Sequence, residues 1–194
     1  ITHGHEDHLG ALPYVLKQIN VPVFGTKLTL GILSVKLKEH YIDYVVLNVI
    51  KPKDIVKIGN VTFEFIKNNH SIADAVSIAI HTPIGIIYHT GDFKIDFTPI
   101  DGEIADLGRV AELGRKGIIC MLGESTNVEK PGYTISERVI GKTFEDIFGK
   151  AKSRIIVATF ASNVHRIQQI INAAAMYGRK VAISGRSMEN ITGV

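Results

Sequence analysis

Short stretches dominated by apolar residues recur at regular intervals in the first half of the chain, and this pattern is typical of the β-strands of a sheet. The β-branched residues in these stretches also favour strands. Residues 27–39 differ, because Leu28, Ile32, Val35 and Leu37 recur mostly on one side of a helix. The predicted elements of this half are strands over 21–24, 45–50, 61–67, 77–81 and 85–88, with a loop at 2–8 followed by a helix at about 10–18.

The pattern changes near residue 134, where Thr134-Ile-Ser-Glu137 has the form of a capping box that opens a helix to about residue 148. The elements predicted after it are a strand at 154–159, a helix at 163–177, a strand at 180–184 and a helix start at Ser187. This alternation indicates βαβ units with a parallel sheet. We therefore expect two partial domains, 1–135 and 136–194, the second stopping in mid-pattern.

Composition is that of a globular protein, with 45% hydrophobic and 21% charged residues among 194. The single cysteine, Cys120, lies in an apolar run and is predicted to be a buried strand residue; its isolation favours a reducing compartment such as the cytoplasm. No apolar stretch approaches the roughly 20 residues of a membrane helix, so no membrane partner is expected. The net charge of +3 permits a nucleic-acid substrate without requiring one. The chain begins at Ile1, directly in a motif, and is expected to be an internal fragment.

Potential metal ligands crowd the first eight residues, which read His3-Gly4-His5-Glu6-Asp7-His8 after Ile-Thr. Imidazole and carboxylate groups bind divalent transition metals when they converge on one point. On a tight loop, His3 and His5 can face one metal while Asp7 and His8 face a second, and Gly4 lets the backbone bend. The ordinary alternative is a histidine-rich surface loop or a tag, although a tag would be a run of histidines without aspartate.

Two further candidate ligands follow predicted strands, at positions where loops on a sheet scaffold commonly carry function. His70 lies after the strand at 61–67 and could complete a three-histidine site, and Asp92 lies after the strand at 85–88 and could bridge two metals. Alone, His70 would be read as structural and Asp92 as a turn residue, but the first cluster favours ligand roles for both. Three other histidines are interpreted as structural, with orientation of a ligand as the alternative for the last: His40, His81 and His89.

The ordered set His3-x-His5-x-Asp7-His8, His70 and Asp92 resembles the motifs of the metallo-β-lactamase superfamily. Residues 123–127, Gly-Glu-Ser-Thr-Asn, resemble the first signature of its β-CASP subfamily, whose members cut RNA or DNA. Residues 2–14, 89–94 and 159–166 resemble the ribonuclease J family within that subfamily, and the resemblance runs from Ile1 to Val194.

The resemblance implies an α/β fold, namely the metallo-β-lactamase αβ/βα sandwich, incomplete at its N-terminus, with the start of an inserted β-CASP parallel α/β domain. It implies two Zn²⁺ ions, with Mn²⁺ or Mg²⁺ as alternatives. Glu124 matches an acidic signature that supports a histidine near the leaving group. The implied metal ligands are His3, His5 and His70 on one ion, Asp7 and His8 on the other, and Asp92 between them.

Asp7 and Glu124 are the predicted catalytic carboxylates, Asp7 because it can both hold a metal and orient the attacking water. The predicted substrate-binding residues follow the strand at 154–159, where a helix N-terminus offers free N–H groups to a phosphate. Simple capping by Ser162 is the alternative, and the junction at 185–187 is a weaker candidate of the same type. The predicted substrate-binding set is Ser162, Asn163, Val164 and His165.

These residues favour a cytoplasmic zinc-dependent ribonuclease that hydrolyses phosphodiester bonds of RNA, as a 5′–3′ exonuclease, an endonuclease or both, in RNA maturation and decay. The expected partners are RNA and further copies of the full-length parent, as a homodimer or homotetramer. The alternatives are a metallo-β-lactamase-fold hydrolase of thioesters or lactams, a DNA-directed relative, and a fragment that binds metal or RNA without turnover.

Overall fold

A computed structural model describes residues 1–193 of the chain, which form helices and two β-sheets. The helices are α1 (Glu6–Leu9), α2 (Leu12–Leu16), α3 (Lys27–Glu39), α4 (Leu107–Lys116), α5 (Glu137–Lys150), α6 (Val164–Met176) and α7 (Arg186–Thr192). The strands are β1 (Val23–Gly25), β2 (Leu47–Val49), β3 (Ile55–Ile58), β4 (Val61–Lys67), β5 (Val76–Thr82), β6 (Gly85–His89) and β7 (Ile118–Leu122). The predictions of a helix at 27–39 and a strand at 61–67 are confirmed to the residue.

The larger sheet has the strand order β3-β4-β5-β6-β7, and β1 and β2 form a separate parallel pair. Strand β5 is antiparallel to both β4 and β6, so β4 and β6 run in the same direction, and β7 is parallel to β6. The carboxyl ends of β4, β6 and β7 therefore meet at one edge of the sheet. The loops that leave this edge carry His70, Asp92 and Glu124.

The core is divided into clusters that pack the helices against the two sheets. Helix α3 buries Leu30, Leu33 and Leu37 against Val23 of β1, in the largest cluster. Helix α4 inserts Leu113, which is fully buried, against β4, β5 and β6. Burial of a leucine side chain stabilises a fold by roughly 1.5–3 kcal/mol, so these contacts fix both helices relative to the sheets.

Several sequence predictions of local structure differ from the structure. The helix expected at about 10–18 is the shorter α2, Leu12–Leu16, whose first turn contains Pro13, a residue without a backbone N–H. The loop expected at 2–8 is helical from Glu6, because α1 spans Glu6–Leu9. The N-cap of α5 is Ser136 rather than Thr134, and the Ser136 hydroxyl accepts a hydrogen bond from Arg138 N. Cys120 is exposed rather than buried, because β7 is the last strand of its sheet and its outward face is open in residues 1–193.

The strands expected at 154–159 and 180–184 do not form ladders in the described part of the chain. Apolar, β-branched residues favour an extended backbone, whereas a strand also needs a neighbour with which to exchange hydrogen bonds. The helices on either side, α5 and α6, form and pack through Phe148, Ala173 and Ala174. Strand β3 and helix α4 were not predicted. Within residues 1–193, no helix has the length and apolarity needed to cross a membrane.

Candidate metal centre and adjoining cavity

The motif of the first eight residues is anchored to both sheets before α1 begins. The Ile1 ammonium donates to Phe24 O at 2.8 Å, and Val76 N donates to Thr2 O at 3.0 Å. These bonds place His3, which is fully buried, at the carboxyl edge of the larger sheet. His5 is the N-cap of α1, so the next residues turn away from it within the first helical turn.

Four donor residues converge in a first group, which consists of His3, His5, His70 and Asp92. His5 Nδ1 lies 3.2 Å from His3 Nε2 and 3.0 Å from His70 Nε2, and Asp92 Oδ2 lies 3.9 and 3.8 Å from the same two Nε2 atoms. Four donors held about 2.0–2.1 Å from a zinc ion are about 3.3–3.4 Å apart along the edges of a tetrahedron. The spacing and chemistry of this group therefore fit one zinc ion.

A second group contains Asp7, His8 and the same Asp92. His8 Nε2 lies 3.2 Å from Asp92 Oδ1 and 3.6 Å from Asp7 Oδ2. Asp92 thus directs Oδ2 to the first group and Oδ1 to the second, as a ligand shared between two cations would. Asp7 is largely exposed, whereas the other two residues are partly buried, so this group is the more open of the two.

The imidazoles of the first group are neutral at physiological pH. Burial, followed by repulsion from the neighbouring histidines, lowers the pKa of His3 to about 2. Burial lowers the pKa of His70 to about 4, and it lowers that of His5 against the opposing effects of Asp7 and Asp92. Neutral imidazole is the form that binds metals, so the three lone pairs are available without prior loss of a proton.

The loop that carries Asp92 is held by groups that the sequence did not single out. Gly91 has φ +59, and a Cβ there would lie 2.9 Å from Val76 O. Gly91 N donates to His89 Nδ1 at 2.9 Å, so His89 helps to orient the loop of a ligand, which was the alternative to a structural role. The buried Asn68 donates through Nδ2 to Thr90 O at 2.9 Å and Asp92 O at 3.2 Å. An asparagine pair directly before His70 was the one available signal of this role.

Glu124 lies outside both donor groups, at the carboxyl end of β7. Its Oε1 accepts from Phe93 N at 3.4 Å and its Oε2 accepts from Thr126 N at 2.6 Å. The Glu124 carboxylate also acts on His70, whose pKa it raises against the larger effect of burial. Glu124 therefore joins the Asp92 loop to the loop after β7 and adds negative charge beside the first group.

The predicted substrate-binding residues occupy different surroundings at the start of α6. Asn163, not Ser162, is the N-cap, and Asn163 Oδ1 accepts from Arg166 N at 3.1 Å. Val164 packs against the cluster of Leu9, Ile32 and Ile72 beneath α1. His165 lies among the charges of Asp101, Lys67, Glu137 and Lys94, and burial lowers its pKa.

A cavity of about 870 Å³ opens beside the metal motif, between α1 and α3 on one side and residues 159–162 and 184–191 on the other. Gly4 and Glu6 line it from the motif, and Ser162 is the predicted substrate-binding residue on its wall. Lys36, Arg186 and Asn190 also line the cavity. Lys36 pairs with Glu6, and Arg186 and Asn190 contact Glu39. The donor groups and this cavity together resemble a hydrolytic centre beside a binding channel.

Two family models match this chain, one in its first half and the other near its C-terminal end. Residues 1–105, slightly more than half of the chain, match the model of the metallo-beta-lactamase superfamily. The chain belongs to this superfamily. Residues 152–194 match the model described as the beta-CASP domain of ribonuclease J, which confirms the resemblance noted in the sequence.

The similarity to ribonuclease J extends over almost the whole chain. The ribonuclease J of Synechocystis is 47% identical over 98% of this chain, and that of Thermus thermophilus is 47% identical over 97%. Ribonuclease J2 of Bacillus subtilis is 40% identical over 98%. The chain spans 30%, 34% and 35% of the lengths of these three relatives.

A solved structure shows the same fold at lower sequence similarity. A protein of unknown function from Enterococcus faecalis has a TM-score of 0.65 and 20% identity. The alignment covers 96% of this chain and 51% of the solved one.

Proposed function

We propose that this chain forms part of a zinc-dependent ribonuclease that hydrolyses phosphodiester bonds in RNA, acting as a 5′–3′ exonuclease, an endonuclease or both. The observation that carries the proposal is the pair of donor groups that share Asp92 at the edge of the sheet. The match of the following residues to a ribonuclease J β-CASP domain supports a polynucleotide substrate. Zinc is the proposed metal because three neutral imidazoles and a carboxylate suit it.

In the proposed site, His3, His5 and His70 would hold one metal ion, and Asp7 and His8 would hold the other. Asp92 belongs to both donor groups and would contribute a carboxylate oxygen to each ion. The chemistry that two such cations supply is Lewis acidity, which lowers the pKa of a nearby water and neutralises charge on a phosphoryl oxygen. Asp7 is the exposed carboxylate of the open group, so we assign it the orientation of the attacking water.

The substrate side of the proposal rests on the start of α6 and the cavity. Ser162 faces the cavity, and Asn163 fixes the first turn of the helix, whose free N–H groups attract a phosphate. Val164 holds this turn in place by apolar packing, and we assign His165 a polar contact with the substrate. Glu124 supports the Asp92 loop from the end of β7. We further propose a domain boundary near residue 135, in the interval between the two family matches.

Hydrolysis assays on the full-length protein encoded by the gene test this proposal. A 5′-monophosphorylated RNA, the same RNA with an internal label, a DNA of equal sequence and a thioester are incubated with zinc-loaded protein. We expect RNA cleavage that is lost in the Asp7→Asn variant and retained in the control His40→Ala variant. Thioester turnover without RNA cleavage would overturn the nuclease assignment. Mononucleotide products indicate exonuclease action, and internal fragments indicate endonuclease action.

Elemental analysis tests the metal assignment separately on the 194-residue chain. We expect one tightly held zinc ion in the first group and a second that exchanges more readily. Manganese at higher occupancy than zinc, after loading with equal concentrations of both, would replace zinc in the assignment. A folded chain that retains neither ion would contradict the site itself.

A further inference from the structure

A network of charged side chains joins the loop after Asp92 to the start of α6. Its central residue is Glu137, the first residue of α5, whose side chain is 12% exposed. Arg166 Nη2 lies 3.1 Å from Glu137 Oε1 and 3.0 Å from Oε2, and Lys94 Nζ lies 3.6 Å from Oε1. One carboxylate therefore contacts two cations that belong to two separate segments.

The network has two arms, the contact of Glu137 with Lys94 and its contact with Arg166, and each connects Glu137 to a part of the proposed site. Lys94 is two residues beyond Asp92, and Lys94 N donates to Asn69 O at 2.8 Å, next to His70. Arg166 is in the first turn of α6, where its N–H is the group that Asn163 caps. The carboxylate of Glu137 thus lies between the loop that carries a metal ligand and the helix start beside Ser162.

Most of the network is shielded from water, although the Arg166 side chain is 29% exposed. This shielding gives its charge pairs more weight than surface ion pairs have. The Asp96 side chain is 3% exposed, and its Oδ2 lies 3.7 Å from Lys94 Nζ. Asp96 Oδ1 accepts from Thr98 N at 2.9 Å, and Ser136 Oγ donates to Thr98 O at 2.9 Å. These bonds fasten the loop after Asp92 to the residue before Glu137 independently of the ion pairs.

We infer that Glu137 is a positioning residue that holds the N-terminus of α6 at a fixed place relative to the metal-binding loop, so that bound RNA meets both. This inference rests on the proposed function. Glu137 touches no donor atom of either metal group, and it acts through Lys94 and Arg166. The partner of the surface that it organises is the sugar-phosphate backbone of RNA, which spans the distance between the two segments.

Substitution of Glu137 by glutamine distinguishes a positioning role from a simple charge effect, because the two predict opposite changes in RNA affinity. Glu137→Gln removes one negative charge and raises the formal net charge of +3 by one, so electrostatics alone predicts tighter RNA binding. A positioning role for Glu137 predicts weaker RNA binding. We expect Glu137→Gln to weaken binding of a short 5′-monophosphorylated RNA by about tenfold, the size of a typical coupling between contacting residues. Glu145→Gln makes the same charge change at an exposed position of α5 and is expected to bind as well as the unaltered chain or better.

The measurements are fluorescence anisotropy on the zinc-loaded 194-residue chain, with zinc content determined on each sample. Arg166→Met is combined with Glu137→Gln in a double-mutant cycle, because Arg166 could also contact a phosphate directly. If Glu137 acts in part through Arg166, Glu137→Gln costs less affinity in the Arg166→Met background than it does in the unaltered chain. Additive losses, or binding by Glu137→Gln equal to that by Glu145→Gln, would overturn the inference.

Amide hydrogen exchange tests the positioning role of Glu137 in the absence of RNA. We expect Glu137→Gln to speed exchange at residues 163–167 and 93–94 at least threefold relative to Glu145→Gln, while residues 61–67 of β4 stay unchanged. Lys94→Met, which leaves the Arg166 arm intact, should affect only residues 93–94. Unchanged exchange in both variants would refute the positioning role. Failure of the unaltered chain to bind RNA, with the exchange effect present, would instead count against the proposed function alone.

Discussion

At the scale of single residues, Gly91 connects the metal-binding loop to the backbone of β5. Its φ of +59 lies in the left-handed region, which costs a residue with a Cβ about 1–2 kcal/mol. A Cβ at this position would also meet Val76 O at 2.9 Å and Thr2 Cβ at 3.1 Å. The backbone of Val76 in turn bonds to Thr2, next to His3, so a shift of Gly91 moves ligands from two segments.

We predict that Gly91→Ala destabilises the metal-free chain by about 2–4 kcal/mol, since a close contact adds to the cost of the positive φ. It should also weaken zinc binding. Gly102→Ala is the matched control, because Gly102 has φ +76 and no atom within 4 Å of a built Cβ. Urea unfolding in the presence of a chelator and competition titrations with zinc measure the two effects. Equal losses in the two variants would show that the close approach at Gly91 has no role.

The candidate ligands were predictable at this scale, whereas their supports were not. A motif with histidines and aspartates at short spacing predicts His3, His5, Asp7 and His8 as candidate metal ligands, and the structure brings their side chains into two donor groups. The only signal for Asn68 was its place in an asparagine pair before His70, because its amide acquires a role only when the loops after β4 and β6 meet. The N-cap at Asn163 instead of Ser162 likewise depends on where the helix begins, which sequence patterns fix only to within a few residues.

At the scale of elements, sequence patterns correctly predicted most of the helices and strands whose apolar faces pack against other parts of this chain. Helix α3 and strands β4, β5 and β6 agree with prediction to within a residue at each end. Helix α4 was missed because Gly108 and Gly114 weaken its pattern, although Val110 and Leu113 face the sheet. Strand ladders at 154–159 and 180–184 were predicted from composition, but a ladder is a property of two segments and not of one.

Helix α4 is held to the sheet by a charge contact that adds to the packing of Leu113. Glu64 of β4 accepts from Arg109 Nε at 2.6 Å and from Arg109 Nη2 at 3.1 Å, and His81 Nε2 lies 2.9 Å from the same carboxylate. The hydrogen bonds from Arg109 lower the pKa of Glu64; burial opposes them and His81 assists them. The Glu64 side chain is only 10% exposed, so loss of Arg109 would leave a poorly solvated charge.

We predict that Arg109→Met lowers the free energy of unfolding at pH 7 by about 2–3 kcal/mol, a value reduced for the partial exposure of Arg109. Arg115→Met, at an exposed position of the same helix, should have little effect. Because the folded-state pKa of Glu64 is depressed, its contribution is present above its ordinary pKa and is lost as the pH falls through the folded-state value. The difference between the unaltered chain and Arg109→Met should therefore shrink in urea titrations as the pH falls below the ordinary pKa of a glutamate. A difference that is constant with pH would contradict the ionic origin.

At the scale of the whole molecule, the metal groups tie together segments that are distant in sequence. The first group draws ligands from residues 3–5, from the loop after β4 and from the loop after β6, and both groups use Asp92. A ligand that binds only the folded chain stabilises it, by about 2.7 kcal/mol at a free concentration one hundred times its Kd. Because the unfolded chain does not hold these segments together, bound zinc should act as a cross-link on the fold.

We predict that added zinc raises the melting temperature of the unaltered chain and of His40→Ala by the same amount, because His40 belongs to neither group. The rise should be smaller in His70→Ala, which retains the Asp7, His8 and Asp92 group, and smallest in Asp92→Ala, which removes a donor from both. Differential scanning fluorimetry at several zinc concentrations, each matched with a chelated sample, measures this order. If His70→Ala and Asp92→Ala gave equal rises, the two groups would not share Asp92 as a ligand, and the cross-link would involve one ion alone. If zinc raised the melting temperatures of the unaltered chain and the three variants equally, the stabilising ion would lie elsewhere on the chain. His70→Ala and Asp92→Ala remove donors from the two groups alone.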